Sequence, residues 1–226
     1  MWNVFKWTNM RRPLSRPLSD LGFRRGRVYE TIVTTAGFKD RPNAAPLGVT
    51  VSSSRGMILR PFAGTETLDN LRTARCGVVN VTSDPWRFYK TALKREPWVG
   101  PPPSSWFEPA RKINAPRLKG SDSYVEFVVS NISTKGLRRL VRCRAVHVEF
   151  AGRKNAPYCR SSYAAIESVI HATRVKEFLG KRNLHDAKRL IDLVGHYSEL
   201  ASKIAPESAD VKIIRSILAH YGPAST

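Results

Sequence analysis

The residues with most chemical promise lie between Arg60 and Asn70. Arg60 sits in a segment of strand-like pattern, a short loop from Pro61 to Gly64 follows, and Thr65 opens a segment of helical spacing with Thr67 and Asn70 one turn in. A helix N-terminus offers unpaired N–H groups and the positive end of a dipole, which suits phosphate. Threonine hydroxyls and an asparagine amide add neutral donors, and Arg60 adds a planar, permanently charged fork. Gly64 lets a ligand approach the backbone closely. A helix capped by Thr65 beside a surface arginine accounts for the same residues, so the spacing alone leaves both readings open.

Other chemistry finds little support. There is no phosphate-binding G-x-x-x-x-G-K-[ST] loop, no G-x-G-x-x-G dinucleotide fingerprint, no G-x-S-x-G elbow and no H-E-x-x-H pair. His147, His171, His185, His196 and His220 do not pair at metal spacing, and Cys76, Cys143 and Cys159 form no CxxC, so no metal site and no catalytic residue is assigned. Three scattered cysteines fit thiols packed as small apolar groups in a reducing, cytoplasmic setting. No apolar run reaches the roughly 18 residues of a membrane helix, and the start of the chain has no signal-like apolar core.

Charge is the loudest feature of the composition. Over 226 residues, 38 Lys and Arg oppose 18 Asp and Glu, a net +20. Such a surplus attracts polyanions, whether a phosphorylated cofactor or nucleic acid. A dense cluster, Arg11, Arg12, Arg16, Arg24, Arg25 and Arg27, falls in an Arg/Pro-rich leader.

The elements that must position these groups read as β-rich first and helical later. Strands are expected from Val28 to Thr35, Asn43 to Ser52 and Met57 to Phe62, with Pro46 marking an edge or bulge. A helix is expected from Thr65 to Ala74, a buried strand from Cys76 to Val81, and a short helix after the cap Asp84 with Pro85 at its first position. Arg95 to Ser121 is a long Pro- and Trp-containing connection, with Trp98 and Trp106 expected to pack it down. Strands follow at Ser123 to Ser130 and Leu140 to Phe150, and Asn80 is expected to hydrogen-bond within the barrel. Beyond Pro157 three amphipathic helices are expected. Their stripes are Tyr163, Ile166, Val169, Ile170 and Thr173; then Ala187, Leu190, Ile191, Val194, Tyr197, Leu200, Ala201 and Ile204; then Val211, Ile214, Leu218 and Tyr221.

Three runs in this order carry a resemblance: the opening YETIVTT, the strand NAAPLGV, and GTETLDNL leading to VVNVTSDP. Together they resemble the FMN-binding split-barrel proteins related to flavin reductases, and within them a mostly archaeal branch with a C-terminal helical extension. The later segment SSYAAIESVIHATR is similar to that branch's C-terminal region. The resemblance implies an α+β fold, a mostly antiparallel FMN-binding split β-barrel with a helical C-terminal region. With the Arg/Pro-rich start read as a disordered basic leader (1–25), the expected division is leader, barrel domain (26–155) and helices (156–226).

The resemblance also implies a homodimer with FMN at the subunit interface. The phosphate is expected beside Arg60, Thr65, Thr67 and Asn70. The flavin ring is expected along the strand from Asn43, against backbone groups of Ala45, Pro46 and Leu47. The function so implied is an FMN-dependent oxidoreductase or flavin reductase of unassigned substrate, with NAD(P)H as a possible reductant that would bind without a Rossmann unit. The alternatives are a non-catalytic binder of FMN or a related phosphate ligand and, more weakly supported, a nucleic-acid-binding protein acting through its basic leader.

Overall fold

The computed structural model describes residues 16–151 and 156–222. Six strands close into a barrel: β1 (Val28–Ala36), β2 (Pro42–Val51), β3 (Gly56–Leu59), β4 (Cys76–Val81), β7 (Ser123–Lys135) and β8 (Arg138–Phe150). Around the barrel the order is β1-β2-β3-β8-β7-β4. The pairs β1–β4, β2–β3, β3–β8, β4–β7 and β7–β8 are antiparallel. Helix α1 (Glu66–Thr73) links β3 to β4, and α2 (Pro85–Ala92) follows β4. Closure leaves the barrel itself without a free strand edge. The interior is apolar: Val33, Val49, Leu59, Val79, Val125 and Val141 are all fully buried.

The sequence shows why β4 reads CGVVNV without alternation. All six of its residues are buried, which requires cover on both faces of the strand. The outer cover comes from the connection after α2. This segment is not the structureless loop expected from 95 to 121. It carries two short paired strands, β5 (Phe107–Pro109) and β6 (Pro116–Leu118). Ala110, Ile113 and Ala115 from it pack with Cys76, Val78, Tyr124 and Val128. Trp106 packs with Ile32, Ala44 and Leu118, as expected, whereas Trp98 stands 72% exposed and does not hold the segment down.

Two polar side chains fix this cover. Glu126, fully buried, accepts the backbone N–H groups of Arg111 and Lys112, each at 2.7 Å. A register shift in β7 falls directly after it, the kind of bulge that re-aims a side chain. Asn80 donates to the Ile32 carbonyl at 2.9 Å and accepts the Leu118 N–H at 2.8 Å, within the barrel as expected.

The chain divides into two compact units. One holds Glu30–Tyr158 with the described residues before Gly26; the other holds Gly26–Tyr29 with the residues from Cys159 onward. The expected disordered leader is corrected from residue 16. Leu18, Leu21 and Phe23 are buried in the first unit, the Leu18 N–H donates to the Ser54 carbonyl at 3.1 Å, and a 3-10 turn (Leu18–Leu21) ends at Gly22. Three apolar residues set among arginines and prolines supply enough burial to order the segment. Arg11, Arg12 and the rest of residues 1–15 lie outside the described residues.

The second unit contains α3 (Arg160–Gly180), α4 (Leu184–Ile204) and α5 (Ala209–Tyr221). The stripes of α4 and α5 face inward as expected: Ala187, Leu190, Val194 and Ala201, then Val211 and Ile214, are buried. The stripe of α3 does not. Tyr163, Ile166, Val169 and Ile170 are 40–56% exposed, and the buried face is Ser161, Ala164, Ala165, Ser168, His171 and Val175. Small residues let neighbouring helices approach closely, and the Ser168 hydroxyl is satisfied by the Ala164 carbonyl at 2.7 Å. Close packing here outweighs side-chain hydrophobicity. Arg27 and Asp210 pair at 2.8 Å within this unit, and the hydroxyls of Ser161 and Ser162 donate to the same carboxylate oxygen. Among the described residues no helix is long and apolar enough to cross a membrane.

Candidate functional site

The strand–loop–helix segment forms as its sequence suggests. After β3 the chain runs from Arg60 to Ala63 beside the tip of the β7–β8 hairpin. The Arg139 N–H donates to the Pro61 carbonyl at 2.9 Å, the Ala63 N–H donates to the Leu137 carbonyl at 3.2 Å, and Phe62 bridges Arg138. Gly64 then turns the chain with φ +74°, and apart from its chain neighbours no heavy atom of the described residues lies within 4 Å of where a Cβ would stand. The left-handed conformation favours glycine, and the open space leaves the turn accessible.

Thr65 enters α1 with extended backbone but does not cap it. Its hydroxyl donates to the Phe62 carbonyl at 2.9 Å and makes no cap hydrogen bond to the helix. The Leu68 N–H is taken by the Thr65 carbonyl at 2.9 Å, while the Glu66 and Thr67 amides keep their capacity for an anion. Arg60, half-buried, donates to the Thr50 hydroxyl at 2.9 Å, which fixes its guanidinium and leaves further N–H groups available.

A second group of expected site residues is drawn into one buried polar cluster. Asn43 donates to the hydroxyls of Thr35 and Thr67, both at 3.1 Å, and Asn70 donates to the same Thr35 hydroxyl at 3.0 Å. All four are at most 9% exposed. Lys94 closes the cluster from outside: its ammonium donates to the Asn43 side-chain oxygen and, at 3.0 Å, to the Ala44 carbonyl, and lies 3.7 Å from Glu66. Burial pushes the Lys94 ammonium below its ordinary pKa. Glu66 opposes that shift and Arg95 adds to it.

The structure thus brings Asn43, Thr67 and Asn70 together through Thr35 and sets Arg60 and Thr65 at the turn before the helix. Ala45, Pro46 and Leu47 are half-buried on β2. Pro46 has no N–H, and the Leu47 carbonyl accepts the Thr31 hydroxyl at 3.0 Å. The cluster holds β2 against α1, so the backbone of β2 and the N-terminus of α1 keep a fixed relation.

Reasoning from the sequence missed Thr35, Lys94, Arg138 and Arg139. The run TKGLRRL carried a signal for the last two, a glycine turn with arginines directly after it. Thr35 and Lys94 had none, because only the barrel brings them to Asn43. Among the described residues no group of three or more His, Cys, Asp or Glu could hold a metal ion.

Residues 29–152 match the family described as Protein of unknown function (DUF447) N-terminal domain. An FMN-bound DUF447 protein from Methanosarcina mazei is 28% identical, covering 89% of this chain and 98% of its own, with a TM-score of 0.53. The flavin reductase of styrene monooxygenase from Pseudomonas putida S12 is 15% identical over 55% of this chain and 82% of its own, with a TM-score of 0.47. An NADH:FAD oxidoreductase from Streptomyces globisporus C-1027 is 14% identical over 56% and 77%, with a TM-score of 0.47. The six-stranded antiparallel barrel with its helices is the split-barrel fold, and the chain belongs to the DUF447 family.

Proposed function

We propose that this DUF447-family protein is a flavoprotein that binds FMN and uses it in redox chemistry as an oxidoreductase or flavin reductase. The observation that carries the reading is the uncapped N-terminus of α1, opened by a glycine turn with free space above it and flanked by the fixed guanidinium of Arg60. The donor set fits a phosphate monoester. Helix amides and a bidentate arginine suit its oxygens, and no carboxylate precedes Glu66 in the loop. The FMN-bound relative from Methanosarcina mazei, similar along most of this chain, supports the same ligand.

In this reading the phosphate sits against Arg60, Thr65 and the first turn of α1. The flavin ring lies along β2 from Asn43 past Ala45, Pro46 and Leu47. Bound FMN supplies electron transfer, and the protein supplies binding, orientation and electrostatics. Asn43, Thr67 and Asn70 act by locking β2 to α1, so that ring and phosphate meet surfaces in fixed register. Lys94 sets a positive charge at the Ala44 carbonyl, beside the strand that carries the ring. A homodimer with FMN at its interface completes the proposal.

Arg60→Ala and Asn70→Ala test the site. Each is expected to weaken FMN binding about tenfold or more, about 1.4 kcal/mol or more, with Arg60→Ala leaving the fold intact by circular dichroism. Unchanged affinity in both variants would overturn the site. Oxidation of NADH or NADPH by the FMN-loaded protein separates a reductase from a protein that only holds the flavin.

A further inference from the structure

Helix α1 carries two carboxylates in its first turn, Glu66 and Asp69, at the end where the proposed phosphate sits. Both are held by cations, but in different ways. Asp69 pairs with Arg72 of its own helix at 3.1 Å. Glu66 has no such partner within the helix. Three and four residues on stand Asp69 and Asn70, and those are the spacings at which side chains meet on a helix face. Its cations come from outside. The Lys94 ammonium lies 3.7 Å and the Arg95 guanidinium 3.8 Å from the same Glu66 oxygen, Oε2.

Lys94 is anchored independently of Glu66. It donates to the Asn43 side-chain oxygen and to the Ala44 carbonyl, and its side chain is 18% exposed. An ammonium gripped by β2 therefore fixes where the Glu66 carboxylate can go. The helix has no need of this, because its dipole already favours a carboxylate in the first turn. Withdrawing an ammonium from water also carries a desolvation cost. The arrangement gains a purpose once a second anion comes to the same helix end. A phosphate monoester adds roughly two negative charges there. A carboxylate left loose on that turn repels it at short range. It is also a competing acceptor for the Glu66 and Thr67 amides.

Resting on the reading of α1 as the FMN phosphate site, we propose that Lys94 and Arg95 are positioning residues that draw the Glu66 carboxylate off the phosphate position. They act through Glu66, not through contact with the ligand. The clamp so formed sets how strongly the protein prefers FMN over riboflavin, which has the same ring and side chain without the phosphate.

The test compares the full-length protein with Lys94→Gln/Arg95→Gln and with the same pair carrying Glu66→Gln as well. Glutamine at position 94 removes the charge and keeps an amide donor for Asn43 and Ala44. Flavin fluorescence gives the affinities for FMN and riboflavin. The double variant is expected to lose about tenfold in FMN affinity and less than about twofold for riboflavin, and the added Glu66→Gln to recover most of the FMN loss, as for directly coupled side chains. An FMN loss that Glu66→Gln does not recover, or an equal loss for riboflavin, would overturn the proposal and leave Lys94 a packing residue of the polar cluster. No loss of FMN affinity in the double variant overturns it too. Arg95 is 75% exposed, so Arg95→Gln alone repeats the test without disturbing the buried lysine. Its smaller FMN loss must again be reversed by Glu66→Gln, and a loss that persists contradicts the clamp. A wild-type protein that binds FMN no better than riboflavin overturns the phosphate reading of α1 itself, whereas a wild type that prefers FMN with variants that keep that preference overturns the clamp alone.

Discussion

Asn43 on β2 donates its side-chain amide to the hydroxyl of Thr67 on α1, 3.1 Å away and out of contact with solvent. A strand and a helix 24 residues apart are thereby cross-linked at the point where the proposed ring and phosphate surfaces meet. Thr35 accepts from both Asn43 and Asn70. Replacing Thr35 by valine keeps the shape and strands two buried amide donors, each costing about 1–3 kcal/mol when unsatisfied. Thr35→Val is expected to lower the urea midpoint and to weaken FMN binding together. A variant as stable as the parent would show that the cluster does not hold β2 to α1.

Glu126 organises the outer cover through the N–H groups of Arg111 and Lys112. Charge-assisted bonds of this length are roughly twice as strong as neutral ones. Glu126→Gln keeps the volume but can satisfy both amides only through its single carbonyl oxygen. The expected result is faster amide hydrogen exchange confined to residues 107–118, with β2 and α1 unchanged. Uniform exchange across the barrel would contradict this local role.

Cys76 lies under the same cover. Burial raises its thiol pKa from 9.0 to about 11, with a smaller push from the charge of Glu126. The folded protein holds the proton more tightly than the unfolded chain does. Its contribution to stability is therefore full below about pH 9 and is lost as pH rises towards 11. Wild type is expected to lose more thermal stability across that window than Cys76→Ala does. Parallel alkaline curves for the two proteins would contradict the assignment.

Arg27 and Asp210 tie the start of β1's neighbourhood in sequence to α5, with Ser161 and Ser162 donating to the same oxygen. Asp210→Asn removes the charge from a half-buried cluster of three donors. A loss of about 1–3 kcal/mol is expected, the range for hydrogen bonds to charged groups, measured by chemical denaturation. None of these residues is among those assigned to the FMN site, and flavin affinity in the folded variant should stay at the wild-type value.

What the sequence revealed follows the range of the forces involved. Local patterns were legible: the strands around Ile32, Val49 and Val79, the turn at Gly64, and the stripes of α4 and α5. The strand, turn and helix start from Arg60 to Thr65 were legible for the same reason, because they are contiguous. The stripe of α3 misled because Ile166 and Ile170 are more hydrophobic than Ala164 and Ala165, while close helix packing rewards small size. The connection before β7 was misread because its anchor, Glu126, lies beyond it in sequence and acts on backbone amides. Thr35 and Lys94 reach Asn43 only once the barrel closes, so no spacing rule could find them.

The central claim is that this chain holds FMN, and the most direct measurement is an absorption spectrum of the purified protein from about 300 to 550 nm after incubation with FMN and desalting. The two-banded flavin spectrum, retained at about one FMN per chain, is the result this structure predicts. A colourless protein that does not retain added FMN would contradict it.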